Sequence, residues 1–257
     1  MLELKHITKI YNPGEVTENA LFNDFNLSVR DGQFVSVVGS NGSGKTTLLN
    51  IICGSIPVEQ GQILLDGEDI THLPEHLRYR IIGRVYQNPA MGSCPDLTIA
   101  ENMALADNKG GAYGLGRGVP AHRLSYYREQ LATLGLGLEN KMNLKVGLLS
   151  GGQRQAMTLL MATMTPLRFL ILDEHTAALD PKTAEAMIAL TDRIVREKKL
   201  TALMVTHNLR HAVDFGDRML MMHEGKIILD RADEQKRATD VKDVLQIFNE
   251  ISIECGN

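Results

Sequence analysis

The sequence has few cysteines, no long apolar run and no dominant charge, and each shortage removes a class of protein. Cys53, Cys94 and Cys255 are odd in number, far apart and without a metal-ligand spacing. Neither a disulfide framework nor a zinc site is expected, and the thiols read as reduced, as in a cytosolic protein. No stretch approaches the roughly 18 consecutive apolar residues of a membrane span, and Met1-Leu-Glu-Leu-Lys-His carries no apolar leader core. The expectation is a soluble chain whose membrane role, if it has one, comes through a partner. With 27 Lys+Arg against 31 Asp+Glu the net charge is −4, so no global basic field calls for nucleic acid or an anionic membrane surface. There is no internal repeat, and 257 residues suit one α/β domain, alone or carrying a smaller subdomain.

What is present centres on Val35 to Thr47. A β-branched run ends at Gly39, a glycine-rich loop follows, and Lys45-Thr46-Thr47 opens a helix. This strand, loop, helix order is a phosphate cradle. Gly39, Gly42 and Gly44 let backbone N–H groups of Ser40, Asn41 and Ser43 turn inward, and the helix start adds its unpaired donors and positive dipole end. Lys45 reaches the β- and γ-phosphates, and the Thr46 hydroxyl is a Mg²⁺ ligand.

The rest of the chain is read around that loop. Leu2, Leu4 and Ile7 suggest an opening strand that ends near Tyr11, an aromatic placed to stack on a base. Phe25, Leu27 and Val29 alternate with polar residues, and Asp31-Gly32 turns the chain into the strand before the cradle. Residues 61–67 read as a short strand closed by an Asp-Gly turn, and 81–86 as a strand ending at Gln87. A neutral amide there can contact Mg²⁺ or water when its loop closes and swing away when it opens. Thr98 is an N-cap for a helix through Ala106. Residues 109–120 hold five glycines and read as a mobile surface loop, with helical pattern returning over 121–134. Ser150, as N-cap before Gly151, Gly152 and Gln153, forms a second anion site ahead of a strong helix. Phe169 to Asp173 is a buried strand delivering the adjacent carboxylates Asp173 and Glu174. Asp180-Pro181 starts a long helix over 181–198, and the apolar strand 201–206 ends at His207.

Taken together, Tyr11, the Gly39–Thr47 loop, Gln87, Leu149-Ser150-Gly151-Gly152-Gln153, Asp173-Glu174 and His207 resemble the nucleotide-binding subunit of the ATP-binding-cassette (ABC) proteins, over roughly 11–230. The resemblance implies an α/β P-loop NTPase with a RecA-like core, an antiparallel β-subdomain (1–89 and 166–257 together) and a helical subdomain (90–165). It further implies a head-to-tail dimer, with a second copy or a paralogous cassette, in which the signature at 150–153 faces the partner's ATP and Asp180 links the two sites. Asp173 would support Mg²⁺, Glu174 would act as general base, and His207 would orient Glu174 and the attacking water. The expected activity is ATP hydrolysis driving a separate membrane permease, in a bacterial importer at the cytoplasmic face of the membrane and served by an extracytoplasmic binding protein. A soluble assembly ATPase of the iron–sulfur type, or a lipoprotein-release or efflux subunit, is the alternative. One departure stands out: His175 occupies the place where the family usually has proline, which frees the backbone beside Glu174 and reads as a tolerated loop variant. His6, His72, His76, His122, His211 and His223 have no motif context and are expected at the surface or in caps.

Overall fold

The computed structural model describes residues 1–112, 114 and 118–254, with the side chains of 251–254 left aside. The glycine-rich segment expected to be a surface loop falls partly outside these residues, as does Cys255. The chain runs β1 (Leu2–Tyr11), β2 (Asn19–Val29), β3 (Phe34–Gly39), α1 (Lys45–Cys53), β4 (Gln60–Leu65), β5 (Glu68–Asp69), α2 (Glu75–Arg78), β6 (Ile82–Val85), α3 (Ile99–Asp107), α4 (Leu124–Ala132), α5 (Gly151–Ala162), β7 (Phe169–Asp173), α6 (Pro181–Glu197), β8 (Ala202–Val205), α7 (Leu209–Asp214), β9 (Arg218–His223), β10 (Lys226–Ala232), α8 (Asp233–Arg237) and α9 (Val241–Glu254).

Two sheets form. The larger is ordered β10-β9-β3-β8-β7-β6 and the smaller β2-β1-β4-β5. In the larger sheet β9, β3, β8, β7 and β6 pair in parallel, and only β10 runs antiparallel. Every residue of β3 and β8 is buried, as continuous β-branched and aliphatic runs require when helices cover both faces of a sheet. The smaller sheet is antiparallel throughout. Its β2 buries Phe25, Leu27 and Val29 and exposes the residues between them, the alternation of a sheet with one wet face. The Asp66-Gly67 turn joins β4 to β5 with both residues at positive φ, which suits a tight hairpin.

Among the described residues two of the three apolar clusters hold these layers, the third lying where α7 and α9 meet β3 and β9. Phe22, Ile7, Ile63 and Leu65 of the smaller sheet pack with α1 and one face of the larger sheet. On the other face, Leu172 and Met204 pack with Met103, Tyr127, Leu131, Met157 and Ile188. Thr98 caps α3 through a reciprocal box with Glu101, which satisfies two orphan helix donors at once. Arg123 of the helical segment forks onto Asp107 with contacts of 2.7 and 2.6 Å, and Tyr127 donates to the same carboxylate at 2.9 Å. Among the described residues no helix is long and apolar enough to cross a membrane.

Candidate functional site

Because β3, β8, β7 and β6 are parallel and adjacent, their C-terminal ends lie side by side. The segments following them are the Gly39–Thr47 loop, His207, Asp173-Glu174 and Gln87. Crevices at this end of an open parallel sheet are where α/β folds bind ligands, and strand order thus collects residues from Gly39 to His207 along one edge.

The loop needs its glycines for different reasons. A Cβ at Gly39 would lie 2.3 Å from Met222 O and 2.7 Å from Ser43 Oγ, so any side chain there pushes the loop off β9. Gly44, at φ +100 and as the N-cap of α1, adopts backbone that L side chains rarely hold. Lys45 folds back into the loop, its Nζ donating to Gly39 O and Ser40 O, both at 2.8 Å. Burial lowers its pKa, and the negative charge of Glu174 partly offsets that. Thr46 is exposed, and Tyr11 reaches across from β1 so that its Oη lies 3.0 Å from Thr47 Oγ1. The aromatic expected to stack on a base is therefore at the rim of the loop. Ser40, one residue into the loop, also has His223 Nδ1 3.4 Å from its Oγ; His223 is partly buried beside the cradle, not the surface or capping residue expected.

Glu174 and His207 are in contact: Glu174 Oε1 lies 2.6 Å from His207 Nε2, with the carboxylate 15% and the imidazole 47% exposed. Glu174 has φ +46, a left-handed conformation that costs a non-glycine residue of order 1–3 kcal/mol and persists only where the surroundings over-determine it. Its N–H donates to Val205 O at 2.9 Å.

Asp173 is held by a residue that motif reading passed over. Arg84 Nη2 donates to Asp173 Oδ2 at 2.7 Å, with the side chains only 7% and 16% exposed. Its Nη1 donates to Asn50 Oδ1 of α1 at 2.9 Å, and its guanidinium lies 4.8 Å from the centre of the Tyr86 ring. Burial works against the Arg84 charge, but Asp173 together with Cys53 and Tyr79 outweighs it, so its pKa is raised. The signal was available: an arginine inside an otherwise apolar, doubly covered strand must be paired.

His175 is wholly buried and its Nε2 lies 2.9 Å from Thr191 Oγ1. Burial, helped by the proximity of His211, pushes its pKa down to about 3, which keeps it neutral. The residue in place of the usual proline thus stands in the loop after β7, as expected, with its imidazole in the core. His211, expected at the surface or in a cap, is 2% exposed, because α7 turns it inward towards α6. The burial of both side chains has one cause: it depends on where α6 packs, which no local pattern states.

Ser150 caps α5 in a reciprocal box with Gln153. A Cβ at Gly152 would lie 2.4 Å from Thr183 Cγ2, so this glycine also lets α5 pack closely on α6. Ser150, Gly152 and Gln153 line a groove of about 620 Å³ with Leu134 and Arg193. Gly39, Ser40, Asn41 and His207 line a different cavity of about 430 Å³. Within one chain the signature residues are therefore not brought onto the phosphate loop. Asp180 is exposed and its Oδ1 accepts from Thr183 N at 3.1 Å, as the N-cap of α6. Gln87 is exposed, but the residue before it is tied to α5, since the buried Gln155 Nε2 donates to Tyr86 O at 3.0 Å.

Comparison with known proteins agrees with this geometry. Residues 22–177 match the family model described as ABC transporter. The chain is 45% identical over 248 residues to the tyrosine transport ATP-binding protein of Clostridioides difficile, covering 96% of this chain and 98% of that one. It is 35% identical over 231 residues to the spermidine/putrescine import ATP-binding protein PotA of Haemophilus influenzae, covering 90% of this chain but 57% of that longer protein. A dimeric ATP-binding cassette solved in a post-hydrolysis state with ADP and Pi superposes with a TM-score of 0.75 at 31% identity, covering 90% of this chain and 98% of that one. The ADP conformation of a second transporter cassette superposes with a TM-score of 0.79 at 25% identity, covering 100% and 99%. The chain belongs to the ABC transporter family and is an ATP-hydrolysing subunit of a transporter.

Proposed function

We propose that the chain powers a bacterial importer from the cytoplasmic face of the membrane, hydrolysing ATP at two composite sites of a head-to-tail dimer and driving a separate permease. The observation that carries the catalytic part is the 2.6 Å contact between Glu174 and His207 beside the Lys45 loop. Glu174 is the general base that polarises the attacking water. His207 orients that water and the Glu174 carboxylate and donates towards the γ-phosphate. Lys45, now bonded to two loop carbonyls, turns to the β- and γ-phosphates, and the loop amides from Ser40 to Thr47 carry the remaining charge. Tyr11 stacks on adenine, and Ser150 to Gln153 complete the partner's site, with Asp180 between the two.

Mg²⁺ fits the donors at this edge. The Thr46 hydroxyl, the Gln87 amide oxygen and the Asp173 carboxylate are hard oxygen groups, few in number, as suits an ion that keeps water and phosphate ligands. Arg84 takes one Asp173 oxygen and leaves the other for the ion. When bound, Mg²⁺ neutralises charge developing on the phosphoryl oxygens.

Import of a small organic solute, of amino-acid type, is supported by the high identity to a tyrosine transport subunit across nearly both full chains. A permease and an extracytoplasmic binding protein would supply the solute contacts, since no described cavity of this chain needs to. Glu174→Gln should cut ATP turnover by about 10²–10⁴-fold with ATP affinity nearly intact, whereas Lys45→Ala should weaken binding itself. Near-normal turnover in Glu174→Gln would refute the base. Labelled-tyrosine uptake in cells carrying Glu174→Gln should fall with turnover; unchanged uptake would refute the amino-acid assignment.

A further inference from the structure

The two residues of the dyad sit on two loops, and a histidine is buried behind each. His175 follows Glu174 directly, and its Nε2 lies 2.9 Å from Thr191 Oγ1. The Thr191 hydroxyl donates its single proton to Met187 O at 2.8 Å, so its oxygen accepts from a protonated His175 Nε2. Four residues after His207, His211 is equally buried, and its Nε2 lies 3.3 Å from Glu185 Oε1. Thr191 and Glu185 both belong to α6, the helix capped by Asp180. Two separate catalytic loops are therefore tied to one helix.

Glu174 needs such a tie, because its φ of +46 is not a conformation glutamate keeps unaided. Its backbone is pinned on both sides, by Glu174 N–H to Val205 O at 2.9 Å and Ala177 N–H to Glu174 O at 2.9 Å. A proline at 175 would restrain the turn through its ring. Histidine offers no ring restraint on φ, which leaves its side-chain anchor to do it. We propose that His175 and His211 are positioning residues that fix Glu174 and His207 from behind through Thr191 and Glu185, so that α6 sets the geometry of the dyad. This rests on the reading of Glu174 and His207 as the reacting pair.

The test separates the two claims. Thr191→Val keeps the shape of the side chain but removes the acceptor, so turnover should fall about tenfold with ATP affinity within about twofold. Thr191→Ser keeps the acceptor and should restore most of the turnover. Glu185→Ala, at an exposed helical position where alanine folds readily, should lower turnover several-fold by freeing His211. Added to Glu174→Gln, Thr191→Val should lower the residual turnover no further, because residues acting as one unit are not additive. The proposal is overturned if Thr191→Val turns over within about twofold of the native chain, if it loses ATP affinity as much as turnover, or if its full factor persists in the Glu174→Gln background. Normal turnover in Glu174→Gln alone would instead overturn the reading of the dyad.

Discussion

Removing the charge of Arg84 while keeping its bulk, as in Arg84→Met, leaves Asp173 a largely buried carboxylate without its partner. The pair is close, at 2.7 Å, and neither side chain is more than 16% exposed, so solvent screens it little. Breaking one side of a buried pair costs about 3–5 kcal/mol, most of it the desolvation of the charge left behind. Methionine recovers part of the packing, and the Asn50 contact at 2.9 Å is lost as well. The expected destabilisation is about 3 kcal/mol, which for a chain of this size lowers the melting midpoint by about 6–12 °C. Calorimetry and denaturant unfolding of the nucleotide-free chain measure it. Adding Asp173→Asn removes the orphaned charge, so the double variant should lose at least about 1.5 kcal/mol less than the sum of the single losses. A single-variant loss under about 0.5 kcal/mol, or strict additivity, would refute the claim that the pair is a buried, coupled unit.

Three further outcomes are expected. Tyr11→Ala should weaken ATP binding by about 1–3 kcal/mol in a titration, and Tyr11→Phe hardly at all; equal losses would mean that the hydroxyl contact to Thr47, not the ring, is what matters. Ser150→Asp keeps a good N-cap but brings a carboxylate to the partner's phosphates, so it and Lys45→Ala should each be inactive alone, while an equal mixture regains about a quarter of the native ATPase through the one intact site of each mixed dimer; no recovery in proven mixed dimers would refute the head-to-tail arrangement. Arg123, ahead of the cost of burial, holds the Asp107 pKa below the usual carboxylate range, so the native form binds this proton less tightly than the unfolded chain, and the stability it contributes is present above about pH 4 and lost as pH falls through the folded value. The unfolding free-energy advantage of the native chain over Asp107→Asn should therefore shrink on acidification, and a constant difference would refute the linkage.

The features legible in the sequence are those whose physics is local. The Thr98 and Ser150 caps, the Asp66-Gly67 turn and the Pro181 helix start are each decided within four residues, and the structure places them where the sequence does. The phosphate loop was legible because its glycines act through their own backbone and the Lys45 side chain folds back onto the same short loop. Its neighbours were not, since which strands flank β3 is settled by pairing between segments more than 160 residues apart. For the same reason His211 looked like a surface residue, and the burial of the His175 side chain from within its loop was not legible, although both are buried against α6. Arg84 lies between these cases. Its charge within a buried strand demanded a partner, but only the strand order β8-β7-β6 identifies that partner as Asp173.

The separation of the signature groove from the phosphate loop then constrains how the chain works. An anion site capped by Ser150 and lying away from Lys45 would take its phosphate from a second copy in the head-to-tail dimer proposed above. The same helix is not free to move alone, because Gln155 ties α5 to the Tyr86 carbonyl beside Gln87, and Arg84 ties β6 to Asp173 and, through Asn50, to α1. In the proposed dimer, a ligand that displaces Gln87 would act on α5 and through it on the signature. Coupling of this kind works only if ATP binds one arrangement of the linked elements better than the other, and the contacts at Tyr86 and Asp173 would carry that difference.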